Sequence, residues 1–251
     1  MPLLQALFQR VGALALTLRA AAGGLRPPRW SPGAVLSQCA ELGLRTQLLV
    51  WVTVGFTGMV LVFHAALQAK RVVGDTSFVG PAFLHVLVRE FAPVITGLML
   101  AARAGAGIGA ELGTMQITDQ IDALRMNGAD PLPYLVTPRV LAGTLMNPLL
   151  TLHGVLAGLL GGAYTAARFY DIPAAAFMNA GMLTPGDVIT ALVKSLCFGA
   201  VVPALAAMAG LGAHGDAAAV GVATTRAVVE ASMAVIALDA LLGALAFAVG
   251  L

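Results

Sequence analysis

Apolar residues in this chain gather into five long runs, and most of the charge and proline falls between them. The first run is 48–69, closed by Lys70-Arg71; 82–110, 140–163, 188–211 and 227–250 follow. A bilayer core of about 30 Å takes roughly 20 residues of helix at 1.5 Å rise each, so every run is long enough to cross. The second exceeds that length, which predicts tilt, a kink at Pro93 or an extension past the lipid. Ahead of the runs, Leu3, Leu4, Leu7, Val11, Leu14 and Leu18 recur at helical spacing, with Gln5, Gln9 and Arg19 off that stripe. Such a helix suits the membrane interface. Gly23 to Pro32 ends it as a water-facing turn carrying Arg26 and Arg29. Arg10 and Arg19 interrupt the apolar stretch and no small-residue cleavage site follows, so the segment reads as retained. The pattern predicts an all-α integral membrane protein. Its single domain, 1–251, holds an interfacial helix and turn over 1–30 and five transmembrane helices.

Composition agrees: 59% of the residues are hydrophobic and only 10% charged, against about 25% charged in soluble domains. A net charge of +2 without a basic cluster points away from nucleic acid. Cys39 and Cys197 match no metal or redox spacing and read as small packers. His64, His85, His153 and His214 form no ligand pair on a common helix face, and no phosphate-binding loop precedes Lys70 or Lys194. The expectation is therefore no metal, no cofactor and no catalysis. Tyr170-Asp171 and His214-Gly215-Asp216 are faintly similar to the motifs of intramembrane aspartyl proteases, but they fall on opposite membrane faces and cannot share a water.

Basic residues set the orientation. With the N-terminus in the cytoplasm, the inside holds Arg10, Arg19, Arg26, Arg29, Arg45, Arg125, Arg139 and Arg226. The outside holds only Lys70, Arg71 and Arg168, and the C-terminus exits outward.

Three constellations stand out, and the stretch from Arg89 to Pro138 carries most of them. Gly105, Gly109 and Gly113, spaced by four, share one helix face that suits close packing against another helix, within the chain or across a dimer axis. Arg89, Glu90 and Lys194 lie at similar depth near the outer leaflet, where charge must pair or line a cavity. That cluster can accept a charged headgroup or act as a structural ion pair. Asp239 sits mid-span with no partner visible in the sequence. Finally, 114–127 is too short to cross a membrane. Thr118 is read as the cap of a short cytoplasmic helix with Asp119 and Asp122 in its first turn, Ile121 and Leu124 on one apolar edge, and Gly128 as terminator. Such a helix is a docking surface.

The motifs Arg89-Glu90-Phe91-Ala92-Pro93-Val94, Ala110-Glu111-Leu112-Gly113-Thr114-Met115 and Thr118-Asp119-Gln120-Ile121-Asp122-Ala123-Leu124 occur in that order, followed by Asp130-Pro131 and Pro138-Arg139. Together with Gly221 to Val229, they resemble the MlaE/YrbE permease family. The resemblance implies the membrane subunit of an ABC transporter that moves phospholipid between a bacterial inner membrane and the cell envelope, maintaining lipid asymmetry. It implies a second permease copy, a cytoplasmic ATPase dimer and an MCE-domain protein on the outer face. It also makes Arg89, Glu90 and Lys194 the lipid site, and Thr118, Asp119, Gln120, Ile121, Asp122 and Leu124 the ATPase-coupling helix. The competing reading is a secondary transporter coupled to ions through Glu90, Glu230 or Asp239, against which stand the odd number of spans and the lack of an inverted repeat.

Overall fold

A computed structural model describes residues 12–19 and 31–250, and all its elements there are helical. In chain order they are α1 (Pro32–Val72), α2 (Val79–Ile117), α3 (Gln120–Met126), α4 (Leu132–Tyr170), α5 (Ala174–Phe177), α6 (Pro185–Leu211) and α7 (Ala217–Val249). Five of these, α1, α2, α4, α6 and α7, are long and apolar enough to cross a membrane. Each covers one of the expected runs, the last short of Gly250 alone, so the chain is a multi-pass membrane protein. Residues 12–19 are helical, and Leu14 and Leu18 lean against the main core. The rest of the expected interfacial helix and turn, 1–11 and 20–30, lies outside the described residues.

The helices outrun the apolar runs that announce them. At 41 residues, α1 is about 60 Å long, twice the hydrocarbon thickness. Hydropathy marks the lipid-facing part of a helix, whereas capping sets its ends. Ser31 accepts a hydrogen bond from the Ala34 N–H at 3.1 Å and Pro32 occupies the first turn, so α1 begins there. At the far end Gly74, at φ 76°, lets its own N–H and that of Val73 both reach the Ala69 carbonyl. The connections 111–139 and 212–226, between the apolar runs, are consequently mostly helix.

Pro93 does not break α2. It follows a π-turn, Leu87–Phe91, in which the Ala92 N–H reaches back five residues to the Leu87 carbonyl. Proline lacks an N–H and crowds the carbonyl four residues earlier, here Arg89; the wider turn accommodates both, and the rod continues. The same device precedes Pro138, where Leu132–Val136 is a π-turn closed by the Thr137 N–H. A further π-turn, Ala101–Gly105, carries Arg103.

Glycine sets the helix spacing. Along α1 and α4, a Cβ added to Gly58 would overlap the Gly158 carbonyl, and one on Gly161 would overlap that of Gly55. Where α4 meets α6, Gly143 and Gly199 each lie against the other's carbonyl, beside Pro203. Pro203 cannot donate to the Gly199 carbonyl, which is thereby free to rest on Gly143. The expected ladder on α2 also packs, but within the chain. A Cβ on Gly109 would come 2.8 Å from Ala227 Cβ on α7, while Gly105 and Gly113 would meet α7 only at 4.0 and 3.6 Å. That face is turned toward the chain's own last span. The opposite face of α7 is open, exposing Val229, Met233, Ile236 and Leu245.

Candidate functional site

Two groups of polar side chains stand at opposite ends of α2. The first occupies the end where α2 and α4 meet α5 and the start of α6. Thr184-Pro185-Gly186-Asp187 forms a capping box there. The Asp187 carboxylate accepts from the N–H and hydroxyl of Thr184, both at 2.8 Å, and Thr184 Oγ1 accepts from the Asp187 N–H. Asp187 is fully buried, and it has two further partners. Arg89 Nη1 donates to Oδ1 at 2.8 Å, and His85 Nδ1 lies 3.1 Å from Oδ2. One carboxylate thus starts a helix and fastens α6 to α2.

Two turns further along α6, Lys194 is completely buried. Its ammonium donates to Glu90 of α2 and lies 2.8 Å from Asp239 Oδ1 of α7. The Glu90 contact is an aligned hydrogen bond. The Asp239 contact has the distance of an ion pair without hydrogen-bond alignment, and Asp239 Oδ1 has no hydrogen-bonding partner among the described residues. Gly243, one turn beyond Asp239, leaves space beside the Lys194 Nζ, 3.8 Å from where its Cβ would be. The three spans therefore converge on one cation. Glu90 and Asp239 retain 39% and 24% side-chain exposure against 0% for Lys194, so the carboxylates form the open side of the cluster.

Arg89 and Glu90 are consecutive, and on an α-helix neighbours in sequence point about 100° apart. Here both engage α6, at Asp187 and at Lys194, with an additional 3.7 Å contact between Arg89 Nε and Glu90 Oε1. The π-turn that holds them widens the backbone and turns both toward the same neighbour. All three expected residues, Arg89, Glu90 and Lys194, thus come together, and Asp187, His85 and Asp239 join them. Thr184 and Asp187, three apart after a loop, were a legible capping signal. Asp239 was visible as a mid-span charge, but its partner, Lys194 on another span, was not.

The second group lies at the other end, where α2 gives way to α3. The chain reverses at Asp119, which is left-handed at φ 58°. Thr118 is not the cap of α3: its hydroxyl donates back to the Thr114 carbonyl at 2.7 Å and accepts from Gln120 Nε2 at 3.0 Å. The reversal moves the cap position to Asp119, whose side chain makes no capping bond. Ile121 is fully buried and Leu124 packs on the same core, so the apolar edge expected to face a partner points inward. What α3 presents outward is Asp119, Gln120, Asp122, Arg125 and Met126, with an ion pair between Arg125 and Asp122 at 2.8 Å. Gly128, at φ 75°, ends the helix as expected, with the Ala129 N–H reaching the Leu124 carbonyl. The Ile121→Ala variant is expected to loosen α3 itself, seen as faster proteolysis at 118–130, because it empties a core position.

Arg139, expected in a water-facing loop, is buried in α4. It donates through Nη2 to Glu111 at 2.7 Å and through Nη1 to the Leu135 carbonyl at 2.6 Å. This pair ties the end of α2 to the start of α4 across the base of α3. The carboxylates of the ion-coupled reading are all engaged: Glu90 and Asp239 by Lys194, and Glu230 by Arg226 at 2.7 Å.

Comparison with known proteins gives a consistent result. The family model described as "Permease MlaE" matches residues 35–245. A probable ABC transporter permease protein of Synechocystis is 37% identical over 80% of this chain and 76% of its own length. A similarly named protein of Rickettsia conorii is 35% identical over 96% and 93%. The intermembrane phospholipid transport system permease protein MlaE of Haemophilus influenzae is 30% identical over 86% and 84%.

Proposed function

We propose, since this chain belongs to the MlaE family of ABC transporter permeases, that it moves phospholipid between a bacterial inner membrane and the cell envelope and so maintains lipid asymmetry. The observation that carries this reading is the buried Lys194 beneath the partly open carboxylates of Glu90 and Asp239. Charge at membrane depth is costly, and this cluster, assembled from three spans, turns partly open carboxylates over a buried cation toward one end of a lipid-facing bundle. The name of the Haemophilus relative supports the same substrate class.

In this reading the His85 end faces the envelope, the N-terminus is cytoplasmic and the C-terminus periplasmic. A separate ATPase dimer grips the polar face of α3, making the chain itself non-catalytic, and an MCE-domain protein covers the outer end. The open apolar face of α7 meets a second permease copy. Since Glu111–Arg139 ties α2 to α4 beneath α3, a push on α3 is delivered to two spans at once.

The test is ATP-dependent transfer of labelled phospholipid from proteoliposomes holding permease, ATPase and outer partner. The Glu90→Gln variant keeps an oxygen for Lys194 but loses the charge. It should assemble normally and transfer about tenfold more slowly, the scale of one charge-assisted hydrogen bond. Transfer at the unaltered rate would reduce Glu90 to a structural residue, and transfer independent of ATP hydrolysis would sink the reading as a whole. Charge reversal on the exposed face, Asp122→Arg with Arg125→Glu, should lower ATPase copurification severalfold while insertion is unchanged. Undiminished copurification would remove α3 from the interface.

A further inference from the structure

A second polar pocket opens between α1 and α2, with a volume of about 440 Å³, within the ~300–1,000 Å³ of small-molecule sites. Arg103, which lines it, stands 13 residues beyond Glu90, about 20 Å further along the rod and thus at the opposite leaflet. Each carboxylate at the pocket has a nearer cation than Arg103. Glu41 is held by Arg45 at 2.8 Å and Glu111 by Arg139 at 2.7 Å, whereas Arg103 reaches Glu41 only at 3.9 Å. Three arginines against two glutamates leave one positive charge in surplus, and the loosest of the three lines the cavity.

Two more observations suit this pocket to a ligand. Thr46, also lining the pocket, is fully buried, and its hydroxyl has no hydrogen-bonding partner among the described residues. A buried hydroxyl without a partner costs free energy unless something supplies one. Gly107 keeps the cavity open beside Arg103: the nearest atom to a Cβ there is Arg103 Nη1, at 3.6 Å. The outer surface of α1 flanking the pocket is apolar, with Leu44 and Leu48 70% and 73% exposed. An anion site beside acyl-facing leucines suits an amphiphile better than a free ion.

We infer that this pocket holds the phosphodiester headgroup of a phospholipid from the leaflet opposite Glu90, with Arg103 on the phosphate and Thr46 on an ester or glycerol oxygen. The inference rests on the phospholipid reading above and adds a second station to it, so the permease touches lipid at both leaflets.

The test is native mass spectrometry of the full chain in detergent, titrated with dioctanoyl phosphatidylglycerol, with dioctanoylglycerol and sn-glycerol 3-phosphate in parallel. The chain should bind at least two phosphatidylglycerols. Arg103→Gln and Gly107→Leu should each weaken one of them by about tenfold while Glu90→Gln leaves that one untouched. A Cβ at Gly107 meets only the end of the Arg103 side chain, at 3.6 Å, so elution of Gly107→Leu at the wild-type volume is expected and keeps the test valid if Arg103→Gln misfolds. Neither parallel ligand should compete. Unchanged binding in both variants overturns the site, and so does glycerol 3-phosphate binding as tightly as the lipid, which would make it a soluble-phosphate site. If every bound lipid depends on Glu90, this inference falls and the transport reading stands.

Discussion

Replacing Lys194 by methionine is expected to lower stability by about 3 kcal/mol and to abolish lipid transfer. The substitution keeps the volume and removes the one cation shared by Glu90 and Asp239. Removing one member of a buried ion pair costs ~3–5 kcal/mol, since the partner is left charged and uncompensated. Here two partners are left, facing each other, but both carboxylates are partly open to water, which places the cost at the lower end of that range. Adding Glu90→Gln and Asp239→Asn to Lys194→Met should recover most of the stability, because no charge then lacks a partner, and none of the transfer. Thermal unfolding in detergent and the transfer assay separate the two effects. A single Lys194→Met variant as stable as the parent would mean that the three spans are held together elsewhere.

The second large effect is expected from a single methyl group. Gly161→Ala would place a Cβ into the Gly55 carbonyl and Gly58→Ala one into that of Gly158, both across the seam of α1 and α4. Overpacking costs roughly 1–3 kcal/mol when side chains can yield. Here the obstacle is backbone on a second long helix, so about 3 kcal/mol or more is expected, together with poor yield of folded protein. Gly105→Ala is the control. Its Cβ would meet nothing nearer than 4.0 Å, and alanine's better helix propensity makes that change neutral or slightly favourable. Equal melting temperatures for Gly161→Ala and Gly105→Ala would show that the α1–α4 seam gives way more easily than its geometry implies.

That contrast illustrates what the sequence could and could not reveal. Gly105, Gly109 and Gly113 attract notice because they repeat within one span, yet only Gly109 is tightly enclosed. Gly58 and Gly161 are the more demanding positions, but their importance arises from where two distant helices cross, which spacing along one helix does not encode. The spans were legible because about twenty apolar residues in a row match the thickness of a bilayer core and exceed what a soluble helix can bury. Helix ends were less so: Ser31-Pro32 and Thr184-Pro185-Gly186-Asp187 are written in capping chemistry, which hydropathy does not register. Arg89, Glu90 and Lys194 were recognisable as costly charges at a common depth, but Asp239 could be placed only after α7 was folded against α6. Ile121 shows the opposite limit. Its helical face was legible, but whether that face met a partner or the chain's own core was decided by tertiary packing.

Both polar stations on α2 sit on π-turns, Arg89 and Glu90 on the first and Arg103 on the second. A π-turn is an α-helix with one residue inserted, so each one shifts the angular phase of everything beyond it by about 100°. The rod is thus three segments whose faces are aligned by two extra residues. Point substitutions leave that alignment alone. Deleting one residue from 101–105 should shorten α2 by a single rise yet rotate Gly109 away from Ala227, uncoupling the half that carries α3 from the half that carries Glu90. Loss of a residue here is therefore far less tolerable than exchange of one, and the length of α2 is as much a functional specification as its composition.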